Sequence, residues 1–356
     1  MVRTQGCIVV LLLAMAGMAW AQYPTGIGVI GYTYMPLDAE VSPSGNRLGL
    51  IEGDRLRTMA LRDDGYPEHP ENDTEVQIPG ILHMAFTPNG QHIICPDIHG
   101  KIYIVDRDDW AITALDSIDG QLPAGVATVG DPRYAYVLYV DRGRTTILDY
   151  RDREVVGSAE QWSGFYAGPW SGRDICVSAD GRHVFRLYVR GDPEEAGCLE
   201  SMSYPYDVRP VRPETEWTCS MGAPAACCTG PDGEHVMTMS RYSGQLYLIR
   251  QSDGYAYPRV NLDTEEAVDV DFSADGRWVV VTSARPRKII ILWAEDLRAM
   301  VDPNREMAPE DVRRSEFDLS GRPRGCCLHP TLGVAYVYSA VRRSMRVIAL
   351  HVPGAG

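Results

Sequence analysis

One pattern recurs seven times along the chain and restricts the possible folds more than any other feature. Its clearest copy, Val268–Ser283, reads VDVDFSADGRWVVVTS, an alternating run, an Asp-Gly turn and a second β-branched run. Alternation with a period of two is typical of a strand, and Asp-Gly is a strong hairpin signal. The turns of the seven copies fall near residues 45, 90, 132, 181, 233, 276 and 332. The recurrence therefore predicts a repeat architecture built from β-hairpins.

Each hairpin continues into a third strand, as in KIYIVD, QLYLIR and KIIILW, and most copies add a weaker fourth strand. Four short strands in roughly 45 residues are the pattern of a β-propeller blade. A single blade cannot bury both faces, so blades must stack around an axis, where each packed Val or Phe contributes about 1.5–3 kcal/mol. The predicted fold is therefore all-β, a seven-bladed β-propeller of four-stranded antiparallel blades.

The last copy ends soon after its third strand, and a strand-like piece at residues 27–34 precedes the first copy. We therefore expect an N-terminal strand to complete the last blade, which would remove an exposed sheet edge.

The turn motif FSADGR and its variant FTPNGQ resemble the YVTN-type repeats of exported bacterial propellers. The resemblance extends over nearly all of the chain after residue 21. It implies the propeller fold, with WD-like repeats, and it implies no particular ligand. The segment RGCCLHP around His329 is similar to a fragment of lactonase-like propellers. The other His, Glu and Arg positions of that family have no match here, so the likeness implies no catalytic residue.

The first 21 residues have the pattern of a secretory signal peptide. Arg3 precedes the apolar run Ile8–Met18, and the small-residue motif AWA follows. We expect cleavage before Gln22, a single propeller domain over residues 22–356, and a secreted or periplasmic location. The residue directly after the predicted cleavage site is Gln22 and not a cysteine, so no lipid anchor is expected. No stretch is apolar for long enough to suggest a membrane span.

The formal net charge is −14, which argues against nonspecific binding to nucleic acid or to an anionic membrane. Arginines nevertheless concentrate in the loops that a propeller places on one face with the connectors between blades. Guanidinium groups suit carboxylate, phosphate or sulfate, so this face is a candidate anion site. The alternative is that arginine serves solubility at exposed hairpin tips. The candidate residues are Arg142, Arg144, Arg241, Arg285, Arg287 and Arg342.

A second candidate surface is the connector at residues 158–172, SAEQWSGFYAGPWSG. Its aromatic rings, interrupted by glycines, could form a platform for a sugar ring or for a protein partner. The alternative is that the rings fold back and cap the gap between blades three and four. The aromatic residues are Trp162, Phe165, Tyr166 and Trp170.

Two carboxylates stand immediately before the apolar residue of their turns, at positions that a propeller places near its axis. They are Glu40 and Asp271, and they are candidates for a proton-transfer or metal role. The alternative is that they are solvated channel residues. The histidines are scattered and no HExxH motif occurs, so no metal site and no cofactor is predicted.

Eight cysteines follow the predicted signal peptide. Cys198 and Cys219 flank the longest irregular hairpin and are the predicted disulfide. The neighbouring pairs Cys227-Cys228 and Cys326-Cys327 could close vicinal disulfides only with a distorted backbone, because adjacent strand residues point to opposite faces.

The chain contains no GxSxG motif, no P-loop and no dinucleotide fingerprint. These observations favour a non-catalytic exported propeller, expected to be a monomer, that binds a protein, a glycan or a small anionic ligand on the face of the connectors. One alternative is an axial-site enzyme, either a lactonase-type hydrolase or a quinone- or metal-dependent oxidoreductase. Another is a structural part of a surface assembly. The fold alone does not separate these alternatives.

Overall fold

The computed structural model describes most of the chain. Of residues 25–31 and 170 it describes the backbone alone. Within the described residues the chain forms seven four-stranded antiparallel sheets. The inner strands of successive sheets pack side by side around one axis. The fold is a seven-bladed β-propeller, which confirms the fold predicted from the sequence. The described residues are 25–31, 35–68, 73–117, 122–129, 133–140, 143–159, 170–190, 196–203, 214–302, 304–305, 307–339, 341 and 343–350.

The first strand belongs to the last blade, and the next twelve form blades 1 to 3 in order, each from its inner to its outer strand. These thirteen strands are β1 (Thr25–Gly31), β2 (Pro36–Val41), β3 (Arg47–Glu52), β4 (Arg55–Ala60), β5 (Thr74–Gln77), β6 (Ala85–Phe86), β7 (His92–Pro96), β8 (Lys101–Asp106), β9 (Ile112–Asp116), β10 (Pro123–Thr128), β11 (Tyr134–Tyr139), β12 (Thr145–Asp149) and β13 (Glu154–Ala159).

Blades 4 to 6 contain four consecutive strands each, and blade 7 contains the last three strands together with β1. A helix and a 3-10 turn are inserted between the last two strands of blade 6. These elements are β14 (Trp170–Val177), β15 (His183–Arg190), β16 (Ala196–Ser203), β17 (Glu214–Gly222), β18 (Pro224–Thr229), β19 (His235–Ser240), β20 (Gln245–Arg250), β21 (Val260–Asn261), β22 (Glu266–Phe272), β23 (Trp278–Arg285), β24 (Arg287–Trp293), α1 (Ala294–Val301), the 3-10 turn (Pro309–Asp311), β25 (Arg314–Asp318), β26 (Pro323–Leu328), β27 (Val334–Ser339) and β28 (Ser344–Ala349).

The repeated turn has a local physical basis, which blade 6 shows clearly. The Ser273 hydroxyl donates to Asp275 over 2.7 Å and accepts the backbone N–H of Trp278 over 2.8 Å. Gly276 has a φ of 68°, a conformation that glycine adopts without a steric penalty. The Ser-x-Asp-Gly pattern therefore closes the inner hairpin and sets the register of the two strands that it connects.

The ring closes through the N-terminal strand. β1 pairs antiparallel with β28, so that Thr25 lies opposite Ala349 and Gly31 lies opposite Ser344. Blade 7 therefore has the strand order β1-β28-β27-β26. This confirms the predicted closure of the last blade by an N-terminal strand, and it leaves β28 with hydrogen-bonding partners on both sides.

The predicted Cys198–Cys219 disulfide is not formed in the structure, where both residues are free thiols. They lie on neighbouring strands, but Cys198 is opposite Ser220 and Cys219 is opposite Leu199. Side chains alternate between the two faces of a sheet, so this register directs the two thiols to opposite faces. The hairpin that suggested the pair is a regular strand pair at this point.

None of the helices in the described part of the chain is long and apolar enough to cross a membrane.

Candidate functional site

A cavity of about 910 Å³ lies on the propeller axis, lined by residues of all seven blades. It opens on the face where the inner strands begin and where hairpin residues such as Arg241 and Val341 lie. We call this face the connector face. Arg322 directly precedes β26, Arg324 is the second residue of that strand, and Arg173 follows Gly172 in the first half of β14; all three line the cavity on this side. This axial cavity is the candidate functional site.

A repeated β-bulge shapes the walls of the cavity. The register with the second strand shifts near the start of the inner strand in six blades, a feature that redirects the side chains after it. In blades 1, 4 and 6 the residues that follow the bulge are Asp38, Asp174 and Asp269. The shifts fall between Pro36 and Asp38, Pro123 and Gly125, Gly172 and Asp174, Pro224 and Cys227, Ala267 and Asp269, and Pro323 and Gly325.

These three aspartates join each blade to the next. One carboxylate oxygen of Asp38, Asp174 and Asp269 accepts the backbone N–H of the following residue, over 2.8–2.9 Å. The other oxygen accepts a backbone N–H from the inner strand, or the residue before it, of the next blade. Those donors are Met84 for Asp38 at 2.9 Å, Cys227 for Asp174 at 2.8 Å and Cys326 for Asp269 at 2.9 Å.

Two further carboxylates repeat this contact one step deeper along the axis. Glu40 accepts the backbone N–H of Phe86 over 2.7 Å. Asp271 accepts the N–H of Phe272 over 2.7 Å and that of Leu328, on blade 7, over 3.0 Å. Asp38, Glu40, Asp174, Asp269 and Asp271 together are called the axial carboxylates below.

The protein interior raises the pKa of most of these groups, because removal from bulk water disfavours the charged form. Burial raises the pKa of Glu40 to about 8, and the charges of Asp38 and Asp271 add to the effect. Burial raises the pKa of Asp271 to about 7 and that of Asp174 to about 6. It raises the pKa of Asp269 well above its ordinary value. Each side chain is partly exposed, and all of them except Asp271 line the axial cavity.

In blade 7, Gly325 stands at the position that Asp38, Asp174 and Asp269 occupy in blades 1, 4 and 6, and Tyr338 lies opposite it on the next strand. A Cβ atom on Gly325 would lie 2.2 Å from the Tyr338 hydroxyl. The absence of a side chain there admits that hydroxyl, which donates to Asp38 over 3.3 Å. Tyr338 also lines the axial cavity, so blade 7 contributes a hydroxyl group where blades 1, 4 and 6 contribute a carboxylate.

The arginines at the mouth are held by the propeller framework. Arg324 donates to the carbonyl of Leu37 over 3.0 Å, and Arg173 donates to that of Ala225 over 3.3 Å. These contacts with backbone carbonyls orient the two guanidinium groups. Arg322 forms an ion pair with Glu266.

The predicted arginines fall in different places. Arg241 lines the cavity, with its guanidinium 5.4 Å from the ring centre of Tyr242. Arg285 and Arg287 are exposed at the β23–β24 hairpin and are not among the residues that line the cavity. Arg144 is partly exposed just before β12.

Several predicted residues lie outside the described part of the chain. They are Arg142, Arg342, Trp162, Phe165 and Tyr166. The backbone of Trp170 is the first residue of β14, so both ends of the predicted aromatic connector belong to strands.

The structure places Glu40 in the lining of the cavity and Asp271 at the equivalent position of blade 6, and it adds Asp38, Asp174 and Asp269 to them. Sequence reasoning missed these three, although one signal was available. Each aspartate stands two positions before the channel position already identified, and so shares its strand face.

A separate group of possible metal ligands lies on the opposite side of blade 5. Among the described residues, Asp232, Glu234 and His235 bring ligand atoms within 4.8 Å of one another. Arg298 contacts Asp232 over 3.3 Å, so a cation already faces that carboxylate. This charge balance favours an ion pair over a bound metal ion.

Comparisons with known proteins agree on the fold. A solved structure described as Kuenenia stuttgartiensis hydrazine synthase is similar over 91% of this chain and 98% of its own, with a TM-score of 0.73 and 14% identity. A chain from a structure of the mitotic checkpoint complex is similar over 92% of each chain, with a TM-score of 0.70 and 10% identity. At such identities the likeness shows the fold alone. No family model and no curated protein matches the chain.

Proposed function

We propose that this protein is a binding module whose axial cavity takes a small anionic ligand rich in hydroxyl groups, such as the acidic end of a glycan, from the connector face. The observation that carries the proposal is the combination, in one cavity of about 910 Å³, of four arginines at the mouth with carboxyl groups deeper along the axis. A cavity of this volume is in the size range of small-molecule sites.

The arginines supply recognition of the anionic group. A guanidinium presents its donors in a planar fork that matches carboxylate, phosphate or sulfate. Arg173 and Arg324 are anchored through a backbone carbonyl of the next blade. Such anchoring lowers the entropy lost when a ligand binds.

The carboxyl groups complement the hydroxyl groups of the ligand. With a pKa of about 8, Glu40 is mostly protonated at neutral pH, and a protonated carboxyl both donates and accepts hydrogen bonds. The floor of the cavity therefore repels an anion less than its number of acidic residues suggests.

Thermal unfolding in the presence of candidate ligands tests this proposal. We expect glucuronate, galacturonate or sugar phosphates to raise the unfolding temperature, with about 2.7 kcal/mol gained at a hundred times the dissociation constant. Arg241→Gln should reduce the shift. Arg285→Gln is the matched control, because Arg285 lies outside the cavity, and it should leave the shift unchanged. A shift from neutral sugars alone, or one insensitive to Arg241→Gln, would contradict the proposal.

A second candidate function is acid–base catalysis in the same channel. The observation that favours it is that Asp174, Asp271 and Glu40 have pKa values of about 6, 7 and 8. Carboxyl groups perturbed toward neutral pH are frequent at catalytic sites. This function predicts hydrolysis of a lactone such as dihydrocoumarin that Glu40→Gln or Asp271→Asn abolishes. Absence of turnover across a panel of lactones and esters would eliminate it.

We also infer export and a relation to the YVTN-type repeats, both from the sequence patterns alone. Expression in a bacterial host with N-terminal sequencing of the product tests the first inference. A mature chain that begins at Gln22 is the expected result, and an unprocessed chain in the cytoplasm would contradict it.

A further inference from the structure

Two thiols face each other in the gap between blades 4 and 5. Cys176 lies on β14 and Cys227 on β18, the inner strands of these adjacent blades. Both pack against the same apolar cluster, which also contains Phe185 and Leu187 of blade 4 and Val236 of blade 5. The Cys176 thiol lies close enough to Cys227 to help raise the pKa of the Cys227 thiol.

The backbone around the pair is fixed by contacts between the two blades. Asp174 accepts the N–H of Cys227 over 2.8 Å. The Thr229 hydroxyl donates to the carbonyl of Val177 over 2.7 Å. These hydrogen bonds lie on both sides of the thiols along the strands, so the register that brings the sulfurs together is set by polar contacts as well as by packing.

The other candidate pairs lack this arrangement. Cys228 packs in the cluster between blades 5 and 6, on the opposite side of β18 from Cys227. Cys219 also packs against the cluster that contains Cys227, but it lies on β17, the outer strand of blade 4, whereas Cys176 and Cys227 lie on inner strands. Cys198 leaves the sheet on the opposite face from Cys219. A vicinal bond would require β18 to distort where Cys227 and Cys228 pair with Thr238 and Met237, whereas Cys176 and Cys227 extend from adjacent inner strands into the same cluster.

We propose that Cys176 and Cys227 form a reversible disulfide that ties blade 4 to blade 5 when a low-molecular-weight disulfide oxidises them. The Cys176 thiolate attacks one sulfur of the external disulfide, which gives a mixed disulfide and releases one thiol. Cys227 then loses its proton and attacks the Cys176 sulfur, which releases the second thiol. Two cysteine thiols are oxidised and one external disulfide is reduced to two thiols, so atoms and electrons balance.

The exposure of the two residues assigns this order. Cys176 is partly exposed, whereas Cys227 is only 6% exposed. Burial, followed by the contact with Cys176, raises the pKa of Cys227 well above its ordinary value. A buried thiol with a raised pKa reacts slowly with a reagent from solution but can resolve a mixed disulfide beside it.

The experiment uses the purified full chain, reduced with dithiothreitol and then incubated with oxidised glutathione. Peptide mapping by mass spectrometry without reduction should find the peptides of Cys176 and Cys227 joined, and dithiothreitol should separate them. Titration of thiols in denaturant should show a loss of about two thiols per chain. The oxidised protein should also unfold at a higher temperature than the reduced protein, because the bond restricts the unfolded chain.

Cys176→Ser should abolish the linkage and the rise in unfolding temperature, while Cys198→Ser should preserve both. Should Cys176→Ser fail to fold, the peptide map of the unmodified chain decides the question by itself. A map that shows glutathione retained on Cys176, a linkage between other cysteines, or no linkage would overturn the proposal.

Discussion

At the scale of single residues, the axial carboxylates combine structure with chemistry. Asp38, Asp174 and Asp269 each accept two backbone N–H groups, one from the same strand and one from the next blade. The same side chains face a channel and therefore contribute to the cavity that we propose as the binding site. A residue with two such roles restricts what substitution can do, because a change made to probe binding also changes the contact between blades.

Loss of one axial carboxylate should destabilise the propeller measurably. In Asp269→Ala the backbone N–H groups of Val270 and Cys326 lose their acceptor. A buried donor without a partner costs about 1–3 kcal/mol. We expect that loss in urea unfolding at equilibrium. Asp269→Asn keeps an acceptor oxygen and should lower the free energy of unfolding less. Equal losses in both variants would contradict the role of Asp269 as the acceptor that joins the two blades.

The raised pKa values predict how stability depends on pH. Glu40 titrates at about 8 in the folded protein against an ordinary value of 4.5, and Asp271 titrates at about 7 against 3.8. Between these limits the folded state binds more protons than the unfolded state, so stability falls as the pH rises. We expect the unfolding temperature to decrease from about pH 5 to pH 8, by about 2–4 °C for each kcal/mol of linkage.

Substitution of Glu40 should weaken this dependence on pH. Glu40→Gln removes the titration and should flatten the curve, whereas the exposed Glu310→Gln should leave its slope unchanged. If the unfolding temperature of the unsubstituted protein increased over the same pH range, other titrating groups would determine how its stability depends on pH.

Sequence reasoning at this scale identified Glu40 and Asp271 but not the other three axial carboxylates. The turn motif aligns residues near the turn, and its guidance weakens toward the start of the strand, where the bulge shifts the register. The arginines show the same limit. The position of Arg241 in a loop between the second and third strands assigned it to the connector face. That criterion could not distinguish Arg241, which lines the cavity, from Arg285, which is exposed at a hairpin tip.

At the scale of elements, blade 4 contains a buried ion pair at its contact with blade 3. Arg186 on β15 contacts Glu200 on β16 over 2.5 Å, and both side chains are almost completely buried. Arg186 also donates to Thr145 of blade 3 over 3.1 Å. Glu200 accepts the hydroxyl of Thr215 over 2.6 Å. The pair therefore joins three strands of blade 4 to the third strand of blade 3.

Removal of one partner of this pair should be severe. Arg186→Met leaves the Glu200 charge buried without its cation, which costs about 3–5 kcal/mol in comparable cases. We expect that loss in urea unfolding. The double variant Arg186→Met/Glu200→Gln contains no isolated charge and should be more stable than Arg186→Met alone. Additive losses in the double variant would show that the two charges do not interact.

The elements themselves could be predicted well from the sequence, because alternation and turn chemistry are local. The buried pair could not, because Arg186 and Glu200 read as outward polar positions of β-strands. The Cys198–Cys219 prediction failed for a related reason. Proximity to an irregular segment suggested a staple, but the side-chain alternation of a regular strand pair decides which face each thiol occupies.

At the scale of the whole molecule, closure of the ring depends on β1. Six residues of this strand are paired with β28. Each backbone hydrogen bond contributes roughly 1 kcal/mol, and an unpaired β28 would expose an edge that invites association. A chain that begins after Gly31 should therefore unfold at lower temperature and elute as larger species in size-exclusion chromatography.

A chain that begins at Thr25 keeps β1 and is the matched control. It should remain as stable and as small as the full chain. Equal behaviour of the two truncated chains would show that closure does not depend on this strand.

The pairing of β1 with β28 also sets an order of events. Among the described strands β1 is synthesised first, and its partner β28 is synthesised after all the others. A chain interrupted before Ser344 can assemble six blades and still lack the strand that receives β1. The pairing of β1 with β28 thus requires that all seven blades have been synthesised, and a fragment that stops before β28 has an open ring.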